Sequence, residues 1–315
     1  MGIFIVRRSL QGVLVLLLVS AFTFFLINLA PGGPAAAVSL ERTAAEREAL
    51  YRQYGLDKPV VVRYLSWLGD LLRGDLGTSI SQGLPVGSLL AQRFGNTLQL
   101  AFTALVLTAL IGTVLGILAA VGRNRWPDHL ISSVATLGMS IPGFWLGILC
   151  IIVFSVRLQV LPSSGIASVG RGFSLLDRVQ HLALPAGVLA FTLLPNVIRV
   201  ARSAVLEVLG SDYVRTARAK GLPSWTVLLK HTFKNALVPI IAILGLITTV
   251  LFSGSVVIES VFSWPGLGRL AIEAANGRDY PVILGVTLLA GGIVVVVNLL
   301  VDILYAAVDP RISYD

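Results

Sequence analysis

Charge is what this sequence has least of. Among its 315 residues 13% are Asp, Glu, Lys or Arg, 56% are hydrophobic, and the mean hydropathy is +0.87. A soluble domain carries about a quarter of its residues as charge to cover its surface, so most of this surface does not face water. Cysteine is nearly absent, with Cys150 alone, which excludes a disulfide framework or a cysteine metal site. The three histidines, His129, His181 and His231, lie far apart without ligand spacing. Lysine is scarce as well: there are four, Lys58, Lys220, Lys230 and Lys234, and none stands in Gly-Lys-Ser/Thr. A phosphate-cradling P-loop is therefore missing. Gly266-Leu-Gly-Arg-Leu-Ala271 matches the loose dinucleotide pattern. It follows Trp264-Pro265 and an apolar span, without the strand-turn-helix context that gives the pattern meaning, and is a chance match. No Gly-x-Ser-x-Gly or His-Glu-x-x-His occurs. The expectation is a chain that is no enzyme and binds no cofactor or metal of its own.

What the sequence has is long apolar runs. A bilayer core of about 30 Å needs roughly 20 apolar residues of helix. Six stretches qualify, at about 9–30, 94–122, 130–156, 181–203, 235–258 and 280–305. The expected fold is all-α and polytopic, a single transmembrane domain over 1–315 with about six spans. The fourth stretch is the least apolar and contains Pro185 and Pro195, which a span tolerates where neighbouring helices re-satisfy the freed carbonyls. Arg7 and Arg8 before the first run suit a signal peptide. The run itself is longer than a signal h-region of about 7–15 residues, so an uncleaved first span is expected.

Charge position then sets orientation. With the N-terminus inside, Arg7, Arg8, Arg123, Arg125, Arg199, Arg202, Arg215, Arg218, Lys220, Lys230, Lys234 and Arg311 are cytoplasmic. Only five acidic residues, Asp128, Glu207, Asp212, Asp309 and Asp315, accompany them. The remaining chain is near neutral, so the positive-inside rule places both termini in the cytoplasm. The basic pI of about 10.1 then records topology, and nucleic-acid binding is not expected.

Small residues mark close helix contacts: Gly112 with Gly116, and Gly143 with Gly147, are GxxxG pairs, serving either ordinary packing or a subunit interface. The spans carry no ionisable residue at their middles. Glu259 lies at the outer end of the fifth, and Asp302 near the inner end of the sixth, one turn from Asn298. An ion-coupled carrier needs a midplane carboxylate or an interrupted helix, and the sequence offers only weak candidates for either.

The segment 204–234 is the most informative cytoplasmic feature. Ser211 or Asp212 can cap a helix, Arg218 and Lys220 complement its last turn, and Gly221 suits a left-handed C′ position. Pro223 or Ser224 then opens a second helix, with Trp225, Leu228 and Leu229 on its apolar side. Ala217 and Ala219 keep the first helix slim enough for a groove. On the residues alone, a helix entering a protein groove and a basic helix on anionic headgroups are equal readings.

Asp212 to Leu222, reading Asp-Tyr-Val-Arg-Thr-Ala-Arg-Ala-Lys-Gly-Leu, resembles the cytoplasmic loop of ATP-binding-cassette importer permeases. Arg215-Thr216-Ala217 stands where the general pattern has Glu-Ala-Ala, and Gly221 is kept. The departures resemble the dipeptide/oligopeptide branch. Tyr54-Gly-Leu-Asp-Lys-Pro59 and Gly74-Asp-Leu-Gly-Thr-Ser79 are similar to its first outer loop. Val257 to Gly268 and Arg278-Asp-Tyr-Pro281 resemble the stretch joining its last two spans. Asp302-Ile-Leu-Tyr305 and Asp309-Pro-Arg311 resemble its C-terminus.

The resemblance implies a type I importer permease fold in a bacterial or archaeal plasma membrane. It also implies partners: a second homologous permease, two ATPase subunits holding ATP-Mg, and an extracytoplasmic solute-binding protein. The implied cargo is a di- or oligopeptide, or nickel or another small solute; a self-powered carrier is the rival class. The implied coupling residues are Asp212, Tyr213, Arg215, Thr216, Ala217, Arg218, Ala219, Lys220, Gly221 and Leu222. Glu259, Trp264, Pro265 and Gly266 are candidates for an outer gate or for plain turn-making. The outer segment 31–93, with a surface helix expected at Glu41 to Tyr54, is the candidate docking surface for the binding protein.

Overall fold

The computed structural model describes residues 2–29, 57–170 and 172–308. The expected surface helix at Glu41 to Tyr54 and the motif Asp309-Pro-Arg311 lie outside them. The described residues are helical apart from turns, an irregular stretch at 158–170 and 172–174, and one isolated bridge between Thr78 and Pro85. Among the described residues five helices are long and apolar enough to cross a membrane, or six if one bent pair is a single span.

The elements are α1 (Gly2–Leu29), α2 (Val60–Leu72), α3 (Val86–Val121), α4 (Trp126–Ser140) and α5 (Gly143–Cys150), which runs on as a π-helical stretch, Ile151–Arg157. Then come α6 (Leu175–Leu209) and α7 (Asp212–Ala219). A single α-turn, Ser224–Thr226, widens into a π-helical stretch, Val227–Phe233, and continues as α8 (Lys234–Val261). The last two are α9 (Leu267–Asn276) and α10 (Tyr280–Val308).

The chain divides into two compact units. One comprises Met1–Thr97 and Pro265–Val296. In it, Val86, Leu89 and Leu90 from the start of α3 pack on Leu267, Leu270 and Ala274 of α9 and on Val282 and Val286 of α10. A second cluster joins Phe24 and Ile27 of α1 to Tyr280 and Leu284, with Val60, Tyr64 and Trp67 of α2 against it.

The other unit, Leu98–Trp264 and Val297–Asp315, is built around α6. This helix has the lowest window hydropathy of the candidate spans, 1.6, and the highest buried share, 67%. The two facts have one cause: a helix surrounded by protein has little lipid to match, so it tolerates polarity and prolines that a lipid-facing helix does not. A Cβ on Gly116 would fall 2.5 Å from the Cβ of Ala201 and 2.9 Å from the carbonyl of Ile198, and one on Gly112 2.8 Å from Val197. Gly143 and Gly147 likewise face Thr192 and Phe262. Both GxxxG pairs are used for packing within the chain.

The third expected span, 130–156, is broken. Its two halves, Trp126–Ser140 and Gly143–Arg157, are bent by 102°. Pro142 has no N–H to continue the ladder, and it forces Ile141 into extended backbone (φ −93°, ψ 119°). The run reads as continuous in sequence because no Asp, Glu, Lys or Arg interrupts 130–156 on either side of the proline.

Candidate functional site

The loop singled out in the sequence is a short helix with a closed end. After Leu209, only Gly210 and Ser211 separate α6 from α7. Ser211 takes extended backbone at the N-cap, but its hydroxyl donates to the Val208 carbonyl at 2.6 Å and makes no cap bond. At the other end Gly221 N–H donates to the Arg218 carbonyl (2.9 Å) and Leu222 N–H to the Ala217 carbonyl (3.3 Å). These are the paired bonds of a Schellman closure, and they require a left-handed C′ residue. Gly221 supplies it at φ +76°.

Two residues hold α7 down. Val214 and Ala217 are buried against Val227, flanked by Val208 and Leu209. Ala217 is therefore a packing residue, turned inward and not outward to a groove. On the second helix the buried residue is Val227 rather than the expected trio: Trp225 and Leu229 are exposed and Leu228 is half-buried. Tyr213 reaches across to the second helix, its hydroxyl accepting from Asn235 at 3.2 Å. The remaining surface of α7, made by Asp212, Arg215, Thr216, Arg218, Ala219 and Lys220, is exposed, as are Gly221 and Leu222. Arg215 and Asp212 form a solvated pair at 3.4 Å, which contributes little. The outcome is a basic, solvent-facing helix on a small apolar footing, joined at one end to the most buried helix of its unit and at the other to α8.

One strong interaction nearby escaped the sequence reading. Asp128, in the first turn of α4, is buried and meets Arg202 of α6 in a fork: Nε to Oδ1 at 2.6 Å and Nη2 to Oδ2 at 2.7 Å. The Asn124 backbone N–H (3.0 Å) and the Ser132 hydroxyl (3.3 Å) complete its shell. In sequence both residues were only entries in the charge balance. Their separation by 74 positions left no local signal.

The outer-gate candidates are divided between the two units. Glu259 and Trp264 are fully buried. They close the end of α8, Trp264 N–H donating to the Glu259 carbonyl at 2.8 Å and Ser263 N–H to Ser260 at 3.2 Å, with Ser263 at φ +48°. Pro265 accepts from Asn96 at 2.8 Å, and Gly266 is the N-cap of α9, whose first N–H donates to Thr97 at 2.8 Å. This geometry is that of a helix stop and a helix start.

Two further motifs prove to be one structure. Asp279, of Arg278-Asp-Tyr-Pro281, is buried and accepts from the Ser79 hydroxyl, the Ile80 N–H (3.1 Å), the Ser81 N–H (3.0 Å) and the Ser81 hydroxyl (2.6 Å). Burial would raise its carboxyl, but these hydrogen bonds outweigh burial and hold it below the usual carboxylate range.

The family described as the binding-protein-dependent transport system inner membrane component matches residues 112–314, and its N-terminal companion matches residues 1–101. The chain belongs to this family. It is 42% identical to the oligopeptide transport system permease protein AppB of Bacillus subtilis, with all of both chains covered. It is 44% identical to the probable D,D-dipeptide transport system permease protein DdpB of Escherichia coli, over 98% of this chain and 97% of that one. A solved structure of the MetNI methionine ABC transporter, described as inward facing, matches with a TM-score of 0.59 at 20% identity, covering 70% of this chain and 96% of its own. The fold is thus that of a type I importer permease. The protein is a multi-pass membrane permease subunit of a binding-protein-dependent transporter, and not an enzyme. Its work is done with permease, ATPase and binding-protein partners in general.

Proposed function

We propose that this chain imports di- or oligopeptides by alternating access, driven by ATP-Mg hydrolysis on two partner ATPase subunits that press on α7. The full-length similarity to permeases named for oligopeptides and a D,D-dipeptide supports the cargo. The asymmetry of basic residues supports cytoplasmic termini, with α7 on the ATPase side. A second homologous permease completes the pathway, and a solute-binding protein delivers cargo to the outer segment 31–93.

The observation that carries the reading is the closed, footed helix. Coupling needs an element that transmits displacement without bending. The Schellman closure at Gly221 and the Val214–Ala217–Val227 footing support that role for α7. Its motion passes into α6 through a two-residue joint and into α8 through the π-helical stretch. The Asp128–Arg202 fork carries α4 along with α6. Glu259, Trp264, Pro265 and Gly266 then serve an outer gate indirectly, by fixing where α8 ends and α9 begins.

Charge reversal of Arg215 and Arg218 together tests the reading in liposomes holding the whole transporter. The double variant is expected to keep its fold and lose peptide uptake, with ATP hydrolysis no longer answering to loaded binding protein. Uptake and stimulated hydrolysis equal to the parent would refute the coupling role of α7. Receptor-driven uptake of a non-peptide solute in preference to peptides would refute the cargo alone.

A further inference from the structure

The helix α2 carries two apolar stripes and one polar one. Val60, Tyr64 and Trp67 recur at helical spacing and pack on Phe24 and Ile27 of α1. One position on, Val61, Leu65 and Leu72 form a second stripe that is left exposed among the described residues, at 57%, 59% and 82%. Arg63, Ser66, Asp70 and Arg73 line the remaining side. With about 100° per residue, the two apolar stripes are neighbours and the polar stripe lies opposite their common centre.

The contacts with α1 fix which way that centre points. Arg63 donates to the side chain of Asn28, next to the end of α1 at Leu29. The Tyr64 hydroxyl reaches Ser20 at 3.0 Å and the Leu17 carbonyl at 3.3 Å. Leu17 and Asn28 are about 16 Å apart along the helix. The polar edge of α2 is therefore level with the end of a membrane span, and its apolar side is turned toward the middle of that span. On α1 the residues that meet α2 lie on the side away from Phe22, Leu26 and Leu29, which are uncovered; Phe25 lies between the two sides, 38% exposed, and touches Tyr64 with ring centroids 6.0 Å apart.

We propose that α2 is an interfacial membrane helix: Val61, Leu65 and Leu72 sink into the headgroup–acyl boundary of the leaflet where α1 ends, while Ser66 and Asp70 face water. Helices with this division lie in the plane of the interface, and Tyr64 and Trp67 are the residue types that anchor there. The arrangement would fix the height of the outer segment above the bilayer. The inference rests on α1 being a membrane span, and not on the cargo or the role of α7.

Nitroxide accessibility tests it. In a Cys150→Ser background, Leu65→Cys, Leu72→Cys, Ser66→Cys and Asp70→Cys are labelled one at a time in the complete transporter. The carrier is a nanodisc of phosphatidylethanolamine and phosphatidylglycerol. All four side chains are exposed, so the labels displace no packed neighbour. The labels at Leu65 and Leu72 are expected to show a ratio of oxygen to aqueous nickel-complex collisions several-fold above those at Ser66 and Asp70. Equal ratios at the four sites would overturn the proposal, placing α2 in water. A label at Leu65 shielded from both reagents would overturn it too, because a protein partner would then cover the stripe.

Discussion

Gly221 offers a perturbation whose cost can be separated into parts. A Cβ built there has no atom within 4 Å, so substitution meets no clash, and its whole cost is the left-handed backbone at φ +76°. An ordinary L-residue in that region costs about 1–2 kcal/mol. The helix it closes has eight residues, too few to stand alone, and it is held by Val214 and Ala217 on Val227. Burying a valine contributes about 1.5–3 kcal/mol, so the strain is comparable with the footing. Gly221→Ala should lower the closed-to-open ratio of α7 by about 5–30-fold. Asn visits the left-handed region readily, so Gly221→Asn should lose only a few-fold. The β-branched Gly221→Val should lose most. Hydrogen exchange read by mass spectrometry on the complete transporter measures this directly: protection should fall over 212–222 and stay unchanged in α6 and α8. Peptide uptake should fall in the same order, Asn, Ala, Val. If Ala and Asn behave alike, or if Val leaves protection intact, backbone strain does not hold the turn and the reasoning fails.

Three other perturbations follow from the packing and the ion pairs. Asp128→Asn leaves Arg202 facing a neutral partner; breaking a buried pair costs about 3–5 kcal/mol, and the partial exposure of Arg202 (29%) puts the loss at the low end, read as a lower unfolding midpoint in detergent. Gly116→Val drives its side chain into Ala201 and the Ile198 carbonyl and should cost at least the ~1–3 kcal/mol of overpacking. Gly187→Ala on α6, where a Cβ meets nothing within 4 Å, should be neutral or slightly stabilising in the same assay. Asp279 gives a pH signature. Its folded carboxyl lies below the usual range, so its contribution is complete above the unfolded value near 4 and is lost as pH falls through the folded value. Thermal stability should therefore decline on acidification below about pH 4, and Asp279→Asn should be less stable at neutral pH and decline less steeply.

The sequence was most legible where one residue type has one geometric use. Gly221 was read as a left-handed C′ residue from its place after Arg218 and Lys220, and it has that geometry. The long apolar runs likewise gave the helical class, because hydropathy records contact with lipid directly. The same directness hid the architecture. The fourth run, with two prolines and the lowest hydropathy, is the weakest span in sequence and has the highest buried share of the candidate spans among the described residues; hydropathy measures contact with lipid, and α6 mostly contacts protein. The break at Ile141–Pro142 leaves no mark on the charge pattern, since 130–156 carries no Asp, Glu, Lys or Arg on either side of the proline; its signals are the missing N–H of Pro142 and the serines and threonine of α4.

Polar contacts between distant residues left the least trace. Ser79 and Asp279 stood in two separately noticed motifs, and nothing local to either says that 200 positions away lies its partner. Asp128 and Arg202 stand only in the cytoplasmic charge balance for the same reason. Both pairs share one feature that composition alone can flag. In a chain with so few acidic groups, a carboxylate at the margin of an apolar span is a costly residue, and burial without partners is the one arrangement it cannot adopt. Asp128, Asp177 and Asp279 all sit at such margins and are all buried with two or more hydrogen-bond donors each. Ser168 holds Asp177 through its N–H (2.8 Å) and hydroxyl (2.6 Å). Each carboxylate thus ties a loop or a neighbouring helix to the end of a span. That division of labour explains how spans with clean apolar middles are kept in register: the lipid-facing surface carries hydropathy, and the span ends carry the specific contacts.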